Sequence, residues 1–114
     1  MMKSLCFAIT TIGVFAATAA QAAGPVFHWG SDERAMSQQE CMKRAKFAMG
    51  EVGFTVIGED GSDVAGSGPD VTVLVTCKSV GQRTFISVVG GSPNSQSAEQ
   101  GRNRVRSLVM GPAS

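Results

Sequence analysis

The sequence is short of the groups on which most catalysis and most polyanion binding depend. It has one histidine, His28, no Cys-x-x-Cys pair and no Gly-x-Ser-x-Gly motif. A redox-active thiol pair, a zinc site built on histidines and a nucleophile-elbow hydrolase each lack their characteristic spacing. Net charge is also missing. Ten lysines and arginines become nine once Lys3 is set aside, against nine acids, so residues 23–114 sum to zero with His28 neutral. A chain without a net field is a poor nucleic-acid ligand. After the N-terminal stretch no apolar run is long enough to cross a bilayer, and no internal repeat is visible.

The N-terminal stretch has the three parts of a secretory leader. Met1-Met2-Lys3 supplies a positive start, Leu5 to Ala20 an uncharged apolar run, and Ala20-Gln21-Ala22 the small residues a signal peptidase reads. The run of about 16 residues falls short of the roughly 20 of a spanning helix. Cleavage is expected between Ala22 and Ala23. Cys6 lies near the start of the run, not at its end where a lipid-modified cysteine would stand, and leaves with the leader. Residues 23–114 are expected to form one small domain in the periplasm or outside the cell, with no membrane span.

Two cysteines remain there, Cys41 and Cys77, and an even count in a small exported domain points to one disulfide. Their settings agree. Cys41, Ala45, Ala48, Met49 and Val52 share one face of a helix over Ser37 to Val52. Val71, Val73, Val75 and Cys77 share one face of an alternating strand. Both cysteines therefore point into the layer between helix and sheet.

The remaining segments follow from the same periodicities. Val26 to Gly30 reads as a first strand, followed by a charged turn, Ser31-Asp32-Glu33-Arg34. Ser37 with Glu40 fits a capping box, Gly53 ends the helix, and Gly50 inside it marks close packing or an early frayed end. Phe54 to Ile57 is a short strand, and Gly58 to Pro69 a mobile acidic loop. Val71 to Ser79 and Thr84 to Gly90 form a hairpin through Val80-Gly81-Gln82. After a Gly90-Gly91-Ser92-Pro93 break, a second helix begins near Ser95 to Ser97, with Ser97 and Gln100 as a capping box. It buries Ala98, Gly101, Val105, Leu108 and Val109, and Gly111-Pro112 stops it. The order β-α-β-β-β-α predicts an α+β two-layer sandwich, a mainly antiparallel sheet of three to four strands with both helices on one face.

Phe27-His28-Trp29-Gly30, Asp32-Glu33-Arg34, Glu40-Cys41, the valine-rich strand into Cys77 and the Phe85 to Gly90 strand before an arginine-bearing helix resemble a group of small exported proteins of alphaproteobacteria and related bacteria. That group has no assigned activity. The resemblance implies the layout and carries over no catalytic or binding residue.

Each chemical reading has a plainer rival. A hydrolase would pair His28 with Ser31, Ser37 or Cys41 and with Asp32, yet strand residues four apart are well separated in space. Glu33, Glu40, Glu51 and Glu59 would need a cleft that a small domain can hardly enclose to act as a glycosidase pair. The acids at 59, 60 and 63 lack the order of a calcium loop, and Gly66-Ser67-Gly68 precedes a strand where a phosphate cradle precedes a helix. No cofactor or metal is expected.

Two surfaces are candidates for binding, each against the plainer reading of solvated helix faces or core packing. Lys43, Arg44 and Lys46 with Arg102, Arg104 and Arg106 would combine into one basic helix layer, suited to an acidic protein or an anionic envelope component. Phe27 and Trp29, on one side of the first strand, would plug the core, as aromatics in a small domain more often do, or anchor an interface. A second sheet face made apolar by Leu74, Phe85 and Val89 would serve a partner or a homodimer. The expected function is a non-enzymatic binding module of the bacterial envelope. The alternatives are a small enzyme of cell-wall or carbohydrate material, and an inhibitor or immunity-like protein acting through the acidic loop from Gly58 to Asp70.

Overall fold

The structure, a computed structural model, describes residues 24–111. The expected leader over residues 1–22 and its cut between Ala22 and Ala23 lie outside them. The chain is an α+β sandwich, with one antiparallel five-stranded sheet under two helices. In chain order the elements are β1 (Val26–Arg34), α1 (Gln38–Glu51), β2 (Thr55–Glu59), β3 (Asp63–Ser67), β4 (Thr72–Val80), β5 (Arg83–Ser92) and α2 (Ser95–Met110). The sheet order is β1-β5-β4-β3-β2. From β1 at one edge the chain crosses over through α1 to β2 at the other, and meanders back until β5 lies beside β1.

The helix face of the sheet is where the period-2 patterns point. Val73, Val75 and Cys77 of β4, Ile86 and Val88 of β5 and Val64 of β3 are fully buried against Cys41, Ala45, Ala48 and Met49 of α1 and Val105 and Val109 of α2. Cys41 and Cys77 form the disulfide, with Cα atoms 6.0 Å apart. Only half of the first capping box forms. Ser37 accepts from the Glu40 N–H, but the Glu40 carboxylate turns to Arg44 four residues on. Gly53, at φ 81°, lets the chain leave α1 so that the Phe54 N–H bonds the Met49 carbonyl. Gly50 neither packs closely nor frays the helix. A Cβ there would meet nothing within 4 Å, and α1 continues through Glu51.

Four expectations need correction. The sheet has five strands, because Gly58 to Pro69 is no loose loop: β2 runs through Glu59 and pairs with β3. The turn between them is tied down. The Cys77 N–H reaches the Ser62 carbonyl, and Gln38 donates to the Gly61 carbonyl while accepting from Ser79. Ser31 to Arg34 is not a turn but the second half of β1, paired residue for residue with β5 from Ser87 to Thr84. The Gly90-Gly91 break is also strand, since β5 continues to Ser92. Finally, α2 is capped by Asn94, whose side chain accepts from the Ser97 N–H, leaving the Ser97 hydroxyl to donate to Asp70.

Asp60 holds the β2–β3 turn. Its Oδ1 accepts from the backbone N–H groups of Ser62 and Asp63, both at 2.8 Å. These bonds, that of Ser62 foremost, hold the carboxyl below its ordinary value of 3.8. The depressed value means that the ionised form supports the turn above the unfolded value, and that the support goes as pH falls through the lower, folded one. The Ser62 and Asp63 amide resonances are expected to titrate together with a midpoint below 3.8. A midpoint at or above that value would remove Asp60 from the turn.

Candidate functional site: the open sheet face

Odd-numbered residues of β1 point away from the helices. Trp29 is 73% exposed and Phe27 55%, so neither plugs the core. Antiparallel pairing extends each into a rung across the sheet. Trp29 stands opposite Val89, Val89 opposite Leu74, and Leu74 opposite Ala65. The neighbouring rung is Phe27, Gly91, Thr72 and Ser67. The Phe27 ring lies over Gly91, where a Cβ would come within 2.7 Å of it. On the other side of the Trp29 rung the face turns polar through Ser31, Ser87, Thr76 and Asp63, with Thr76 donating to Asp63.

The apolar half opens into a groove of about 630 Å³, lined by Phe27, Leu74 and Val89 together with Pro25, Pro69 and Pro93. A volume of this order suits a side-chain cluster or a small apolar ligand. Phe85, expected on this face, lies a rung further on, between Glu33 and Lys78, outside the groove.

Half of the basic helix layer is neutralised within the chain, Arg44, Lys46 and Arg106 each pairing with a carboxylate. Arg106 donates through Nε and Nη2 to the Asp32 carboxylate at 3.1 and 2.9 Å. Arg102 lies over Gly30 and donates to the Val88 carbonyl and to Asn103. Arg44 bonds Glu40 and the Met110 carbonyl at the end of α2, and Lys46 pairs with Glu59. Lys43 and Arg104 are exposed and make no ion pair among the described residues. The six cations therefore do not add up to one unpaired field.

The candidate catalytic groups are scattered. His28, half-buried, points to the helix side, and its Nε2 lies 3.0 Å from the hydroxyl of the exposed Ser95. Ser31 projects from the opposite face of the same strand, Ser37 caps α1 and Cys41 is in the disulfide. Asp32 faces the same side as His28 but is held by Arg106. The Ser95–His28 pair has no carboxylate behind the ring among the described residues and borders none of the described cavities. Glu33, Glu40 and Glu59 pair with Arg83, Arg44 and Lys46, not with one another. Gly66 and Gly68 form no phosphate cradle, because Met49 and Phe54 cover them. Among the described residues no cluster of three or more potential metal ligands occurs, and no helix is long and apolar enough to cross a membrane.

The polar inner row of β1 was not foreseen from the sequence. Once β1 is known to extend to Arg34, alternation places His28, Gly30 and Asp32 on one side, and the spacing of Arg102 and Arg106 by one helical turn matches it. No protein-family profile matches the chain, and no curated protein matches it significantly.

Proposed function

We propose that the chain is an exported, disulfide-tied binding module of the bacterial envelope, periplasmic or secreted, without catalytic activity of its own. Its docking surface is the apolar half of the open sheet face, and its occupant is a protein partner presenting an apolar patch. Trp29 carries the reading. It is the sequence's single tryptophan, it is 73% exposed, and it borders the apolar rung of Val89 and Leu74. A tryptophan left in water beside aliphatic neighbours has apolar area to bury, and tryptophans are the residues in which interface energy concentrates. The disulfide supports export, since such bonds persist in oxidising compartments. Membership of the group of small exported alphaproteobacterial-type proteins belongs to the same proposal.

The charge pattern argues against an anionic envelope component as the main partner, because Asp32, Glu40 and Glu59 already occupy Arg106, Arg44 and Lys46. The inhibitor reading loses its motive, because the acidic segment is a paired hairpin and not a free loop.

The test is partner capture by crosslinking in the native host, with wild type, Trp29→Ala and Arg104→Glu compared at equal expression. Truncating an interface tryptophan costs about 2 kcal/mol or more, so Trp29→Ala is expected to lower capture of the wild type's partner about thirtyfold. Arg104→Glu should leave capture intact. Equal capture by wild type and Trp29→Ala would sink the proposal.

A further inference from the structure

The two edges of the sheet are treated differently. The β2 edge has five residues and a register irregularity between Val56 and Gly58. Shortness and bulging are the usual means by which an edge is kept from pairing with another chain. The β1 edge has neither. Its nine residues pair with β5 in unbroken register from Val26 to Arg34, contain no proline and have no strand beyond them among the described residues. Its inward charge, Asp32, is neutralised by Arg106. We infer that this edge is closed by a second copy of the chain, β1 pairing antiparallel with β1 of its partner about an axis through Gly30.

The sequence of β1 is complementary to itself in that register. Full overlap of Val26 to Arg34 places Gly30 on the axis, since it is the middle residue of the strand. Asp32 then faces His28 of the second copy, Glu33 faces Phe27, and Arg34 faces Val26. No charge meets its like across the strands. Sliding the register until Asp32 sits on the axis would set two carboxylates against each other, which is unfavourable for directly opposed residues. On the helix side the cost is the approach of the two Arg102 side chains that lie over the paired Gly30 residues. Both are part-exposed, and salt screens such charges over about 8 Å at physiological strength.

Pairing would join the two sheets into one of ten strands and keep all four helices on one side, because odd residues face odd residues across the axis. Trp29 would stand opposite Ser31 of the second copy and diagonal to its Trp29, within reach of an aromatic side chain. The two apolar grooves would lie at opposite ends of the seam, related by the two-fold axis. The edge pairing needs only β1, whereas the partner-binding face is complete within one copy.

The test is sedimentation equilibrium of the purified protein against two variants of one site, Phe27→Glu and Phe27→Lys. Both remove the same ring and leave the Glu33–Arg83 pair in place, but they set opposite charges against Glu33 of the second copy, twice per dimer. Wild type is expected to be a dimer, and the Glu variant to dissociate at least about tenfold more readily than the Lys variant. Thermal melts of both variants with the disulfide intact check that each is folded. A wild type that stays monomeric at high micromolar concentration overturns the inference and leaves the Trp29 capture experiment unaffected. So does a dimer that the two variants weaken equally, since its contact would not place Phe27 opposite Glu33.

Discussion

Reducing the Cys41–Cys77 disulfide, or replacing both cysteines with alanine, is expected to lower stability by about 4 kcal/mol and the melting temperature by roughly 15–30 °C. The bond spans 36 residues of sequence and joins the first turn of α1 to β4, so opening it frees a large part of the unfolded chain. The chain-entropy treatment gives about 4 kcal/mol for a loop of this length. A domain of this size has a total stability of only about 4–13 kcal/mol. Single serine substitutions should be worse than the double alanine. Cys41 and Cys77 are both fully buried, and a lone hydroxyl among Ala45, Val75 and Ile86 would be desolvated at a further cost of about 1–3 kcal/mol. Calorimetry of oxidised, reduced and double-alanine protein separates the two effects. Melting temperatures that coincide for oxidised and reduced protein would mean the bridge does not hold the fold.

This bond is legible in the sequence because each cysteine sits inside a strong periodic pattern. The helix repeat through Cys41 and the alternation through Cys77 set both side chains on buried faces, and the count of two left one pairing. The same alternation placed Leu74 and Val89 on the open face. Where the pattern was weak, the reading failed. Gly58 to Ser67 contains glycines and acids that say loop on composition, but Val64 and Gly66 alternate inward beneath α1, and backbone pairing with β4 overrides the local signal. Ser31 to Arg34 is polar enough to be a turn, and becomes strand because β5 lies alongside it and Arg106 neutralises Asp32. Tertiary partners supplied by α2, some 70 residues away, are invisible to a local window.

The exposure of Phe27 and Trp29 was equally beyond the sequence. Aromatic residues near the start of a small domain serve a core as readily as a surface, and their side of β1 depends on which face the helices take. Gly90 lets the helices take the face they do, because the backbone of α2 needs that position bare to approach β5, whereas at Gly30 only the flexible tip of Arg102 lies close. With Gly90 empty, α2 settles over β1 and β5, and the odd residues of β1 are left to water.

Gly90 should therefore tolerate substitution badly. A Cβ there would lie 2.5 Å from the Ala98 carbonyl oxygen and 2.8 Å from the Arg102 Cβ. Neither atom is the end of a flexible side chain, so α2 itself must shift. Gly90→Val is expected to cost about 3 kcal/mol, at the upper end for overpacking a close contact. It should also loosen β1, whose helix side is held through the Asp32–Arg106 and His28–Ser95 contacts of the same helix. Trp29 fluorescence would report that second effect as a change in the native baseline before unfolding. Gly50→Ala supplies the opposite sign. Nothing lies within 4 Å of its Cβ position, and its φ is not positive, so the alanine gains helix propensity of about 0.5–1 kcal/mol without strain. Both variants change one glycine, and only the surroundings differ. A Gly90→Val protein that melts with wild type would mean that α2 does not rest on β5 at this point, and the account of why the aromatic face is open would fall with it.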